Sequence, residues 1–137
     1  MELAITKEFS FCYAHHLPNY DGKCNNLHGH NAKLFVTIGG TINEQSGMVM
    51  DFVKLKHFVD SNIIQVLDHS YINEDMCGNK MDEKGELTFR MVNNPTAEHM
   101  IAWIRFILYE EYGKRLKKIK LYETPTSYVT WRYYVKG

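Results

Sequence analysis

The sequence predicts an α+β domain of order ββααββ, and three observations carry that expectation. Two long runs near the start alternate apolar and polar residues at period two. Two stretches in the middle repeat apolar residues at roughly the helical period of 3.6. Two further β-like runs close the chain, so both helices fall between two strand pairs. An antiparallel sheet carrying both helices on one face is the expected architecture.

The first strand is read from Leu3, Ile5, Phe9, Phe11, Tyr13 and His15, which share odd parity with only Lys7 interrupting. Same-parity residues of a strand share a face, so His15 ends a half-buried strand. Pro18-Asn19-Tyr20-Asp21-Gly22 is a turn. A second strand starts near His28 and keeps His30, Ala32, Leu34, Val36 and Ile38 on one face. Paired antiparallel, the two strands bring His15 beside His28 and His30. Gly39-Gly40 and Ser46-Gly47 bound the next connection. From Asp51, a fair N-cap, the residues Phe52, Leu55, Phe58, Val59, Ile63, Val66 and Leu67 form a helical stripe. The second helix is capped by Asn94 or Thr96, has Pro95 in its first turn, and ends at Gly113. Its apolar face is Ala97, Met100, Ile101, Ile104, Ile107 and Leu108. Strands from Ile119 to Glu123 and, after the Pro125 turn, from Tyr128 to Val135 follow. The long polar connection from Asp68-His69 to Asn94 is expected to hold a hairpin between Met81 and Val92, turning near Lys84-Gly85.

A chain of 137 residues is read as one domain spanning residues 1–137. Sixteen Lys and Arg balance sixteen Asp and Glu, giving a formal net charge of +0. That balance leaves no electrostatic footprint for nucleic acid or an acidic membrane, although a local basic cluster would suffice for a small anion. Cys12, Cys24 and Cys77 form an odd set without paired spacing, which suits a reducing compartment rather than a disulfide framework. The N-terminus lacks a basic segment followed by an apolar run, and no apolar stretch approaches membrane-spanning length. A cytoplasmic protein is expected.

The block Cys24-Asn25-Asn26-Leu27-His28-Gly29-His30 holds the strongest chemical signal. His28 and His30 lie two apart on one strand face, and His15 is the third imidazole. Three neutral nitrogens with one open position match a catalytic zinc site rather than a structural one. A metal ion nearby would favour the thiolate of Cys24. Asp68-His69 is either a polar cluster at a helix end or, with Cys24 in reach, a Cys/His/Asp proton relay. Glu123 is either a solvated strand end or a carboxylate pairing with an amidine-like N–H/NH₂ edge. His16 has the opposite parity and points away. Cys12 and Cys77 are assigned no role, and His57 and His99 are read as structural members of helices.

Six blocks in order extend the reading. They are Phe11-Cys12-Tyr13-Ala14-His15-His16-Leu17, the Cys-x₃-His-Gly-His block, Gly47-Met48-Val49-Met50-Asp51-Phe52, Leu67-Asp68-His69, Asn94-Pro95-Thr96-Ala97-Glu98, and Tyr122-Glu123-Thr124-Pro125-Thr126-Ser127-Tyr128. Together the chain resembles, over nearly its full length, the 6-pyruvoyl-tetrahydropterin synthase / 6-carboxytetrahydropterin synthase family. The resemblance implies a tunnelling fold (T-fold), whose subunits join their sheets into a barrel, commonly a hexamer of two stacked trimers. It implies Zn²⁺ held by His15, His28 and His30, and Cys24 as general base. It further implies that Asp68 and His69 complete the relay, from the same chain or from a neighbouring subunit. Glu123 is implied as the pterin anchor, with Thr96 and Glu98 close to the pterin pocket. The implied substrate is 7,8-dihydroneopterin triphosphate, and Lys23 is a candidate contact for its triphosphate.

Three residues separate Cys24 from His28, which resembles the carboxytetrahydropterin branch of the 7-deazaguanine (queuosine) pathway; the pyruvoyl type typically has five. The connection from Asn73 to Asn93 is longer than in the most compact relatives. Rival expectations are a 6-pyruvoyl-tetrahydropterin synthase, a zinc hydratase built on the same ligand types, and a non-catalytic zinc-stabilised binding module.

Overall fold

The computed structural model describes residues 1–17, 21–23, 26–73, 78–81, 87–90 and 94–134. Strands β1 (Glu2–His15) and β2 (His28–Thr41) pair antiparallel over their whole length, from Glu2 opposite Thr41 to His15 opposite His28. The alternation read from the sequence sets the faces. Phe9, Phe11, Tyr13 and His15 of β1 are buried, as are Ala32, Leu34, Val36 and Ile38 of β2. The residues between them in β1 and the Gly29, Asn31 and Lys33 positions of β2 stay on the open side.

Helix α1 (Phe52–Val59) starts at Asp51, whose carboxylate accepts the Val53 N–H at 2.8 Å. It runs without a break through a π-helical turn, Asp60–Ile64, into the short α2 (Gln65–Leu67). The π turn has a physical reason. Leu55, Val59, Ile63 and Leu67 are all fully buried at a spacing of four, which would drift around an ideal 3.6-residue helix. One wider turn takes up that drift and keeps the stripe on the sheet. Phe52, expected in the stripe, is instead half exposed.

Strands β3 (Ser70–Asn73), β4 (Gly78–Met81) and β5 (Leu87–Arg90) follow. The hairpin expected between Met81 and Val92 is present as the antiparallel β4–β5 pair, although it begins earlier, at Gly78. Its turn near Lys84-Gly85 lies outside the described residues. Helix α3 (Ala97–Tyr112) is capped by Thr96, whose hydroxyl accepts the His99 N–H at 3.2 Å. It ends at Gly113, where φ is +54°, a conformation that glycine adopts without a Cβ penalty. Strands β6 (Leu116–Thr124) and β7 (Ser127–Arg132) close the fold; β6 starts three residues before the expected Ile119.

The sheet has seven strands in the order β4-β5-β3-β1-β2-β6-β7. The expected all-antiparallel sheet is corrected here to a mixed one. β1 with β2, β2 with β6, and β6 with β7 are antiparallel, but β3 runs parallel to both β1 and β5. After α2 the chain returns to the free edge of β1 and pairs Ser70–Ile72 with Tyr13–His15. That pairing satisfies backbone groups which would otherwise be orphaned beside the histidines. One core joins the inward face of the sheet to Leu55, Val59 and Leu67 below one helix and Met100, Ile104 and Leu108 below the other. None of the described helices is long and apolar enough to cross a membrane.

Candidate metal centre and the residues around it

Full-register pairing of β1 and β2 places His15 directly opposite His28, and Tyr13 opposite His30. The three imidazoles therefore converge on the inward face at the end of the hairpin. Ring centroids lie 4.5 Å apart for His15–His28, 5.0 Å for His15–His30 and 4.9 Å for His28–His30. One ligand atom from each residue falls within 4.8 Å of the others, a spacing that one metal ion can bridge.

Hydrogen bonds on the far side of two rings fix their tautomers. His15 Nδ1 donates to the Pro95 carbonyl at 2.7 Å, and His28 Nδ1 donates to the Asn26 carbonyl at 2.7 Å. A carbonyl can only accept, so each neutral ring keeps its lone pair on Nε2. The Nε2 atoms of His15, His28 and His30 are buried and without hydrogen-bond partners. Buried polar atoms are normally satisfied, and three unpartnered imidazole nitrogens this close together could serve as the donor set of a metal site. The residues fit an ion of the imidazole-binding type.

Electrostatics agree with neutral rings at His15 and His30. Burial, aided by the neighbouring imidazoles and opposed by the Pro95 hydrogen bond, pushes His15 down to about 4. Burial also pushes His30 below its ordinary value, against the pull of Glu123. Glu123, half-buried near the end of β6, brings Oε1 to 3.0 Å from His30 Nε2, without the alignment of a hydrogen bond. The strand end thus delivers a carboxylate to the imidazole cluster.

The other candidate residues are distributed around this centre. Cys24 lies outside the described residues. Its neighbour Lys23 is exposed, and the Lys23 carbonyl accepts the Asn26 N–H at 3.0 Å, in the turn that leads to His28. Thr96 caps α3 beside Pro95, so the helix start abuts His15; Glu98 is exposed in the first turn.

Asp68 and His69 form a dyad, with His69 Nδ1 3.0 Å from Asp68 Oδ1. The same carboxylate oxygen accepts the Cys12 N–H at 2.9 Å, and the His69 N–H donates to the Cys12 carbonyl at 2.6 Å. These bonds hold His69 at φ +58°, a left-handed conformation uncommon for a residue with a Cβ. The His69 side chain is largely exposed and borders an open hollow of about 800 Å³ with Cys12, Ala14, Gly29 and Asn31. Those four are outward positions of β1 and β2, while Tyr13 and His30 of the imidazole face line the same hollow.

Three contributors escaped the sequence reading. The Pro95 and Asn26 carbonyls orient imidazoles through tertiary contacts that no motif reveals. Tyr13, placed by parity on the His15 face, brings its ring to 5.1 Å from that of His15 and 5.5 Å from that of His30. Its shared parity with His15 was the available signal.

Comparison with known proteins places this geometry. A profile of the 6-pyruvoyl tetrahydropterin synthase family matches residues 4–133. The chain belongs to that family. It is 36% identical over 137 aligned residues to the 6-carboxy-5,6,7,8-tetrahydropterin synthase of Haemophilus influenzae, covering 93% of this chain and 97% of that one. It is 38% identical to the protein of the same name from Synechocystis, covering 90% of this chain and 88% of that one. Among solved structures, the 6-pyruvoyl tetrahydropterin synthase of Caenorhabditis elegans superposes with a TM-score of 0.76 at 25% identity, covering 98% and 97% of the two chains. The T-fold expected from the sequence is the fold observed.

Proposed function

We propose that this protein is a zinc-dependent synthase of the carboxytetrahydropterin type. It converts 7,8-dihydroneopterin triphosphate and water to 6-carboxy-5,6,7,8-tetrahydropterin, acetaldehyde and triphosphate, a step toward 7-deazaguanine (queuosine) compounds. The convergence of three buried, orphaned imidazole Nε2 atoms carries the proposal. The names of the Haemophilus and Synechocystis relatives support the branch, as does the three-residue spacing between Cys24 and His28.

In this reading His15, His28 and His30 hold Zn²⁺, which when bound supplies Lewis acidity and a template for the substrate's side-chain hydroxyls. Glu123 offers its carboxylate to the N–H/NH₂ edge of the pterin. The Cys24 thiolate removes a proton, Asp68 orients His69, and His69 passes protons to and from the substrate. We assign the relay to a neighbouring subunit in a hexamer of two trimers, as the family resemblance implies, and the largely exposed His69 side chain supports that reading. Lys23 faces the triphosphate, while Thr96 and Glu98 stand at the pterin end, next to the start of α3.

Incubating the zinc-loaded protein with 7,8-dihydroneopterin triphosphate and identifying products by mass tests the proposal. Carboxytetrahydropterin with stoichiometric trapped acetaldehyde is expected. A pyruvoyl pterin without acetaldehyde would move the protein to the other branch of its family. Cys24→Ala is expected to keep zinc and assembly and lose at least about 10²-fold in turnover. No turnover by the unsubstituted protein would leave a zinc-stabilised binding module as the function.

A further inference from the structure

Tyr13 has no part in the chemistry above, yet it is built into the imidazole cluster. The residue is 4% exposed, packed edge-on against His15 and tilted against His30. Its hydroxyl oxygen is buried and has no hydrogen-bond partner. Six buried side-chain polar atoms are unpartnered among the described residues, and four of them belong to Tyr13, His15, His28 and His30. Unmet hydrogen-bonding capacity is therefore concentrated at one place.

Packing does not call for that oxygen. Phe11, one pleat earlier on the same face with its ring 5.7 Å from that of Tyr13, fills its part of the core with no polar atom. A phenol sealed away from water without a partner is unfavourable, and such groups persist where a ligand satisfies them. Glu123 bears on the phenol only through its charge, which adds to burial in holding the hydroxyl protonated. The group that remains is an O–H donor at a centre whose other unmet atoms are lone-pair donors.

We propose that Tyr13 is a further ligand-contacting residue, donating its phenol O–H to an oxygen of the ligand side chain held at the three-histidine centre. It thereby selects pterins with a hydroxylated side chain over pterins without one. The inference rests on the pterin-synthase reading and deepens it. A site built to hydrogen-bond a substrate oxygen rejects the analogue lacking it, because its own polar group is then left unpaired.

Tyr13→Phe keeps the ring and removes only the oxygen. The zinc-loaded protein and this variant are titrated with 7,8-dihydroneopterin and with 7,8-dihydropterin, which has no side chain, alongside a zinc-to-protein ratio. The variant is expected to bind dihydroneopterin about three- to tenfold more weakly, the usual effect of one hydrogen bond. Its affinity for dihydropterin and its zinc content are expected to be unchanged. Equal weakening for both compounds, or weakening for neither, overturns the proposal and leaves the pterin reading standing. Loss of zinc from the variant overturns it in favour of a role in placing the imidazoles. Failure of the unsubstituted protein to bind either compound overturns the pterin reading, and this inference with it.

Discussion

An imidazole binds a metal only through a free lone pair, and His15 shows how a single residue is kept ready for that task. Its Nδ1 proton is committed to Pro95, and burial holds the ring neutral down to about pH 4. An unfolded histidine takes up its proton near pH 6.5. Between those values the unfolded chain binds a proton that the folded chain refuses, so the contribution of His15 to stability is whole above 6.5 and is lost as pH falls toward 4. The chelator-treated protein is therefore expected to have a lower urea midpoint at pH 5 than at pH 7, and the difference is expected to shrink in His15→Gln. An identical pH response in the two proteins would deny that His15 is held neutral by burial. At this scale the cluster of three imidazoles was legible because strand parity and the His-x-His spacing are local. The left-handed backbone of His69 and the orphaned hydroxyl of Tyr13 were not, since each is set by contacts with residues distant in the chain.

Elements with a strong period were read with near-correct bounds. β1, β2 and α3 each carry long apolar repeats and clear terminal signals, and Thr96 caps α3 as expected. Four-residue strands offer too few positions for alternation to show, which is why β3 and its parallel pairing with β1 were missed. Only the free edge of β1, a tertiary fact, explains where β3 goes. The π turn was likewise invisible, because it answers the fit between helix and sheet rather than any residue preference. Thr96 has a definite structural task whatever it touches in the substrate. Replacing it with alanine orphans the His99 N–H, and a loss of about 1 kcal/mol in unfolding free energy is expected from urea titration. Unchanged stability would show that the hydroxyl does not cap the helix.

Among the described residues the sheet ends on β4 at one side and β7 at the other. Phe52, Val53, Met48, Leu3 and Tyr128 leave large apolar surfaces exposed. Open edges and exposed apolar groups favour association, and the hexamer proposed above would cover both. Light scattering of the purified protein is expected to give the mass of six chains. A monomer would remove the assembly, together with the assignment of Asp68 and His69 to a neighbouring subunit. The sequence made the fold class legible at this scale through the order of its elements. The placement of the dyad beside the outward positions of β1 and β2 became visible only with the strands in three dimensions.

The ladder that zips Glu2 against Thr41 also sets His15 against His28. A slip of one residue would turn Leu34, Val36 and Ile38 outward together with both partner histidines, leaving His15 alone on the inner face. If the proposed ion binds there, its uptake would act as proofreading: a chain that has mispaired its first hairpin presents no three-point grip, and only a correctly zipped one could capture the ion.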